Sequence, residues 1–311
     1  MFGVILIVSL NLAIERVVRV GEVRARDVMR GDLLSRHASA KGVNAARALA
    51  ALSEPCVLLG AVGGPTGDLI ERELSAEAIP LEPVRIAGES RTCVVLLEDA
   101  TREQTVVNEV GPELTAEEVR AIEETYLGLL GRAAMVLVNG SLPLGVPASL
   151  YGRLIEAARA AGKPALLDAS GEPLAAGVKA RPEVVKINGS EASQWSGLPV
   201  RDAASALAAA DALVGAGARV AMVTLGAAGA GLSSGAARYW FEPPAIEAVN
   251  CVGSGDAALA GLASALRRGD PLDRAGALAV AAGTASALHG AGRCTAEEIA
   301  RILPLVRGEA L

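Results

Sequence analysis

The sequence predicts an α/β fold with a mostly parallel central sheet covered by helices on both faces, plus a small separate β-sheet. Three observations predict it. Short β-rich runs alternate with Ala/Leu/Arg-rich helical segments, two regions break that rhythm with charged strands and no helix between them, and the last third turns helical. Repetition of a strand and helix unit implies parallel pairing with helices on either face. In such sheets ligands sit at the carboxyl ends of the strands.

The elements follow in chain order. The apolar run from Val4 to Leu12, interrupted by Ser9 and Asn11, lacks a basic leader and a small-residue cleavage site, so it reads as a first buried strand. Residues from about 16 to 38 read as short charged strands. The segment Ala38 to Arg47 opens the first long helix, and Val57 to Val62 then precedes a helix over Thr66 to Leu74. Residues from 81 to about 108, including Thr92 to Glu98 and Gln104 to Asn108, again read as strands. With the first insertion they form a small sheet, a candidate lid over the substrate site. Met135 to Asn139 precedes a helix over Pro147 to Ala161, and Ala165 to Asp168 precedes a short helix. After Gly255, Leu259, Leu262 and Leu266 recur at helix spacing. No repeat or linker divides residues 1–311, which read as one domain carrying the lid.

Composition narrows the function. The chain has 311 residues, half of them apolar, and a formal net charge of −6, so it lacks the basic face a general nucleic-acid binder needs. Aromatic residues make up 2%, too few for base-stacking platforms. Cys56, Cys93, Cys251 and Cys294 have no C-x-x-C spacing, and only His37 and His289 could join them, which argues against zinc. No stretch is long enough for a transmembrane helix, so the expectation is a cytoplasmic protein without membrane contact.

The sharpest local signal is Asn250-Cys251-Val252-Gly253-Ser254-Gly255-Asp256, followed at once by an amphipathic helix. Two glycines around a serine let successive N–H groups face an anion at a helix N-terminus. Asp256 in the first turn is close enough to take a proton from a hydroxyl attacking a phosphate there. An acidic residue after Gly is equally a structural cap. Thr224-Leu225-Gly226 and Gly229 end a buried strand where a nucleotide can lie along exposed backbone, or they form a plain turn. Lys41 at a helix start opposes the macrodipole, which suits a bound anion, although a solvated lysine is the ordinary case. Arg91 on a lid strand reads either as a phosphate clamp or as an edge-strand gatekeeper. Asn188 and Glu191 put oxygens at one helix pole, as Mg²⁺ held largely through water requires, and also match a capping box.

Together these segments resemble the PfkB carbohydrate kinases, in particular the branch containing 1-phosphofructokinase, tagatose-6-phosphate kinase and the minor 6-phosphofructokinase. The likeness runs from Ser9-Leu10-Asn11 to about Gly292 and includes Lys41-Gly42-Val43-Asn44, Gly63 to Gly67, Gly140-Ser141-Leu142-Pro143, Leu167 to Leu174, Lys186 to Glu191 and Val252 to Asp256. It implies a ribokinase-like three-layer sandwich that phosphorylates a sugar phosphate of the fructose 1-phosphate, fructose 6-phosphate or tagatose 6-phosphate type. By resemblance, Asp256 is the base and Gly253, Ser254 and Gly255 form the anion hole. Lys41, Arg91 and Ser141 face the sugar's phosphate, and Asn44 its hydroxyls. Lys186, Asn188 and Glu191 serve the ATP phosphates and Mg²⁺, while Thr224, Gly226 and Gly229 line the nucleotide groove. Lid strands of the family often pair across a dimer, so a homodimer is an expectation.

Three departures stand out. Where the family usually reads Asn-Pro-Ala-Ile-Asp, this chain has Asn11-Leu12-Ala13-Ile14-Glu15, and the longer Glu15 moves a hydroxyl-binding carboxylate by about a bond length. Ser39-Ala40 replace a Gly-Gly pair before Lys41, and Ser286 stands where an asparagine often meets the adenine edge. Two other functions accommodate such changes. One is a kinase for an unphosphorylated sugar or nucleoside, which has no use for both Lys41 and Arg91. The other is a non-catalytic sugar-phosphate or nucleotide sensor, which has no use for Asp256.

Overall fold

The computed structural model describes residues 3–101 and 103–311. The chain opens with β1 (Val4–Val8), β2 (Ala13–Val20) and β3 (Gly31–Ser39), and α1 (Lys41–Ala51) precedes β4 (Cys56–Val62) and α2 (Gly64–Ala76). Then come β5 (Leu81–Arg85), β6 (Arg91–Glu98), β7 (Gln104–Asn108), α3 (Ala116–Leu130), β8 (Ala133–Asn139) and α4 (Leu150–Ala160). The alternation continues through β9 (Ala165–Asp168), α5 (Gly171–Lys179), β10 (Val184–Asn188), α6 (Gly189–Ser196), α7 (Ala203–Ala216) and β11 (Val220–Thr224). Two antiparallel strands, β12 (Ala230–Ser233) and β13 (Arg238–Glu242), lead into α8 (Ser254–Arg268), α9 (Leu272–Ala287), α10 (Ala296–Ile302) and β14 (Arg307–Ala310).

The strands form a ten-stranded sheet in the order β14, β13, β12, β11, β10, β9, β8, β1, β4, β5 and a four-stranded sheet in the order β3, β2, β6, β7. From β11 to β5 every pairing is parallel, as the alternation predicts. Buried parallel strands carry continuous apolar runs, and alternate residues feed two cores. Ile7, Leu137 and Leu166 pack with Val43, Leu259 and Leu262 of α1 and α8, while Leu6, Val136 and Leu167 pack with Ile122, Leu154 and Ile155 of α3 and α4. Leu259 and Leu262 are fully buried, each contributing about 1.5–3 kcal/mol of transfer free energy.

The smaller sheet differs in its bounds from the sequence expectation. Leu81–Arg85 is not part of it: this strand pairs in parallel with β4 in the main sheet. The reason is core packing, because Val84 and Ile86 enter the cluster beneath α3. The smaller sheet instead starts at Ala13, since the eight residues of β2 pair with both β3 and β6. Its β3 and β6 ends deliver Ser39 and Arg91 to the carboxyl edge of the main sheet.

Candidate active site

The site is built at the start of α8. Gly253 holds φ at +85° in the left-handed region, and a Cβ there would stand 2.3 Å from the Gly292 nitrogen. At Gly255 a Cβ would lie 2.7 Å from Lys186 Nζ, so only glycine lets that ammonium reach the turn. Asp256 follows, 5% exposed. It is not the helix cap, because Gly253 occupies that position without a side-chain cap bond. Its Oδ2 instead accepts a 2.9 Å hydrogen bond from Asn44 Nδ2, across from α1.

Beside it, two lysines share one carboxylate. Lys41 Nζ lies 2.6 Å from Asp168 Oδ1, and Lys186 Nζ lies 2.6 Å from Asp168 Oδ2. Parallel register explains the meeting, since Asp168 ends β9 alongside Asn139 of β8, and the residues preceding Lys186 on β10 pair with those preceding Asp168. Lys41 also donates to Glu191 Oε1 at 2.9 Å. Burial opposes the charge on Asp168, Lys41 and Asp256. The lysines outweigh it at Asp168 and hold its carboxyl below the usual range, while Asp168 and Glu191 raise Lys41 above its own. At Asp256 burial leads, the Asp168 charge adds to it, and the carboxyl is pushed up to about 7 against the pull of Lys41, Lys186 and Asn44.

A cavity of about 250 Å³ opens next to Lys41, with Asn11, Ala40, Arg91 and Ser141 in its wall. Asn11 Nδ2 donates to Ser141 Oγ at 3.1 Å. All three Arg91 hydrogen bonds go to neutral backbone carbonyls, two to Asn11 and one to Glu109. Glu15 is absent from that wall. Its Oε2 accepts from Ser39 Oγ at 3.1 Å, and its Oε1 lies 3.2 Å from His37 Nε2. Burial raises the Glu15 carboxyl, yet His37, Ser39 and Arg47 together bring it below the usual range.

At the other pole, Asn188 and Glu191 form the full capping box of α6. Glu191 Oε2 accepts the Asn188 N–H at 2.9 Å while its other oxygen faces Lys41. Among the described residues no group of three or more His, Cys, Asp or Glu side chains is placed to hold a metal ion. Thr224 pairs in register with Asn188, and Gly226 beyond it is exposed, whereas Gly229 is buried. Ser286 is fully buried, and its Oγ has no hydrogen-bond partner. The Ser254 hydroxyl is also buried without a partner.

The structure thus brings together Asp256, Gly253, Gly255, Lys186, Lys41 and Asn44, with Arg91 and Ser141 across the neighbouring cavity. Asp168, which links the two lysines, was not singled out as a site residue from sequence. Its signal is the carboxylate ending the apolar run Ala165-Leu166-Leu167, at the strand edge where ligands bind. Chemically, a buried carboxyl near neutral pKa can accept a proton, and the N–H groups of Gly253 and Gly255 with the Lys186 ammonium can hold an anion.

The chain is similar to known proteins along nearly its whole length. Residues 5–298 match the model of the pfkB family carbohydrate kinases. The chain is 33% identical over 263 residues to the 1-phosphofructokinase of Xanthomonas campestris pv. campestris, covering 83% of each. Phosphofructokinase-2 from Escherichia coli in complex with fructose-6-phosphate superposes with a TM-score of 0.90 at 26% identity, over 97% of this chain and 99% of that one. The ribokinase of Arabidopsis thaliana, complexed with ribose and ATP, shares the fold with a TM-score of 0.78 at 19% identity, over 97% and 99%. The fold is therefore ribokinase-like, and the chain belongs to the pfkB family of carbohydrate kinases, enzymes that use ATP.

Proposed function

We propose that the protein transfers the γ-phosphoryl group of ATP to a free hydroxyl of a phosphorylated ketose, yielding a sugar bisphosphate and ADP. One observation carries the choice of a phosphorylated acceptor. Arg91 stands in the cavity wall braced by three bonds to neutral carbonyls, so its positive charge is left for an anionic ligand. The names of the relatives support the same class, one being a 1-phosphofructokinase and another a phosphofructokinase with fructose-6-phosphate bound.

In this reading the sugar phosphate rests on Arg91 and Ser141, with its hydroxyls toward Asn44. The acceptor oxygen forms a bond to the γ-phosphorus, the bond to the β-phosphate oxygen breaks, and the hydroxyl proton passes to Asp256. The backbone N–H groups of Gly253 and Gly255 and the Lys186 ammonium hold the transferring group, while the Ser254 N–H closes the turn on the Cys251 carbonyl. Thr224 and Gly226 line the path of the nucleotide. The residues fit Mg²⁺ carried in on ATP rather than caged by protein, because Glu191 and the exposed Asn188 can each bind it through water. Its chemistry there is to neutralise charge on the β- and γ-oxygens.

The smaller sheet supports pairing with a second copy, since Leu33, Leu34, Val106 and Val107 on its outer strands are exposed. Sedimentation of the purified chain, with Leu33→Asp and Val107→Asp as the disrupting pair, checks this. Among the described residues no helix is long and apolar enough to cross a membrane, and dependence on ATP supports a cytoplasmic location. The activity itself is tested by ADP release with fructose 1-phosphate, fructose 6-phosphate and tagatose 6-phosphate against free fructose. Release with the free sugar alone would replace the reading with a neutral-acceptor kinase.

A further inference from the structure

Beneath the catalytic turn lies a guanidinium with no part in the chemistry described so far. Arg47, on α1, is 7% exposed and donates to four different groups. Its Nη2 reaches the Ala38 carbonyl at 2.8 Å, its Nη1 reaches the Ala291 carbonyl at 3.2 Å and Asn44 Oδ1 at 3.4 Å, and Nε with Nη2 grips Glu77 at 2.6 and 2.7 Å. These groups belong to the segment before Lys41, the loop against Gly253, the helix that carries Asn44, and the residue that closes α2. Ala291 in turn donates its N–H to the Val252 carbonyl at 2.7 Å, so the loop held by Arg47 also holds the turn before Asp256.

We propose that Arg47 is a positioning residue that selects which end of the Asn44 amide faces Asp256. The inference rests on the reading of Asp256 as the base. Its basis is donor chemistry: a guanidinium offers only donors, so the Asn44 end facing Arg47 must be the carbonyl oxygen. That leaves Nδ2 to face Asp256, as the 2.9 Å contact records. A donor aimed at a carboxylate favours its ionised form, which is the form that accepts a proton. Without Arg47 the amide is free to turn over, and an oxygen facing Asp256 would favour the protonated acid instead.

The charges around both groups are few. Asp256 is faced by Asp168 on β9, Lys41 on α1 and Lys186 on β10. Arg47 is faced by Glu77, which Arg293 also holds at 3.0 Å, and lies near Glu15. His37 stands beside Glu15 and also acts on Glu77. None of these groups can take the place of Arg47 at Asn44 Oδ1, because Glu15 and Glu77 have no proton to donate and His37, Arg293 and the lysines are directed at other carboxylates.

The test is Arg47→Lys in the full-length chain, which keeps one charged donor for Glu77 and removes the Nη1 branch that donates to Asn44 Oδ1. We expect the acid limb of the kcat profile to move alkaline by about one pH unit, so that turnover at pH 7 falls about fivefold and recovers near pH 9. The KM for ATP should change little. In an Asn44→Ala background the same substitution should leave the limb where it is, since there is no amide to turn. A loss equal at every pH, or a limb shift of the same size without Asn44, would overturn the proposal and leave Arg47 a packing residue. If Arg47→Lys does not fold, as thermal melting would show, Glu77→Gln loosens the guanidinium from its far side. It should move the limb in the same direction by a smaller amount, and an unmoved limb there counts equally against the idea. Asp256→Asn separates the two failures: if it keeps its turnover the base assignment falls, and if it loses turnover while Arg47→Lys leaves the limb unmoved, only the role of Arg47 falls.

Discussion

Asp256→Asn should do two opposite things at once, slowing the enzyme and stabilising the fold above neutral pH. The amide preserves shape and still accepts from Asn44, but it cannot take a proton, so kcat should fall by roughly two to four orders of magnitude. The stability effect follows from the buried carboxyl. Its pKa is raised from 3.8 to about 7, so between those values the folded state holds a proton that the unfolded state releases. Stability therefore declines as pH rises from about 4 through 7, and above 7 the folded state carries the full cost of a buried anion. Three units at about 1.4 kcal/mol each give a ceiling of about 4 kcal/mol that the substitution would recover. For a chain of 311 residues this corresponds to a rise in Tm of about 6 °C at most. Thermal melting of both proteins at pH 4 and pH 8, alongside steady-state turnover, reads both effects. A variant with near wild-type kcat, or one no more stable at pH 8 than at pH 4 relative to the parent, would refute the assignment of a strained, proton-accepting carboxyl.

Other expectations follow from the neighbouring groups. Arg91→Ala should raise the KM for the phosphorylated sugar tenfold or more and leave the KM for ATP near its starting value, because a charge-assisted contact contributes about 1.5–3 kcal/mol. Asp168→Asn should lower the folded stability by about 3–5 kcal/mol, since the buried Lys186 ammonium loses its counterion while the half-buried Lys41 keeps Glu191, and a melting curve unchanged from the parent would contradict this. Glu15→Asp with Ser39→Gly and Ala40→Gly should raise kcat/KM for fructose phosphates, with a non-additive gain because Ser39 bonds Glu15 directly. A triple variant that folds and gains nothing would show that the native pocket already accommodates these side chains.

The fold was legible in the sequence to the extent that local pattern decides it. Apolar runs such as Val57 to Val62 and the Leu259 and Leu262 stripe each carry their own period, and the alternation of strand and helix implies parallel pairing. Leu81–Arg85 is misplaced by the sequence pattern because two exposed charges and a proline, Glu82, Pro83 and Arg85, mask the core contacts of Leu81 and Val84. That strand belongs to the main sheet because it pairs with β4 and buries Val84 beneath α3. The turn that opens α8 was legible because glycines and an acid sit within four consecutive positions, Gly253 to Asp256. Asp168 and Arg47 were not, since each acts by joining segments far apart in sequence: Asp168 spans 127 positions to Lys41, and Arg47 spans 244 to Ala291. The two meanings of Asn188 and Glu191 could not be separated by sequence either, because a capping box and an oxygen pole use the same residues at the same spacing, and the structure displays the capping box.

The central claim is phosphoryl transfer from ATP to an already phosphorylated ketose. Phosphorus NMR of a mixture of enzyme, ATP, Mg²⁺ and one ketose phosphate at a time tests it most directly, since it follows donor and product together. The account predicts that, for at least one of fructose 1-phosphate, fructose 6-phosphate and tagatose 6-phosphate, a second phosphomonoester resonance grows in step with ADP, while free fructose gives none. A new monoester only with an unphosphorylated sugar or nucleoside, or ADP appearing without any new monoester, would contradict it.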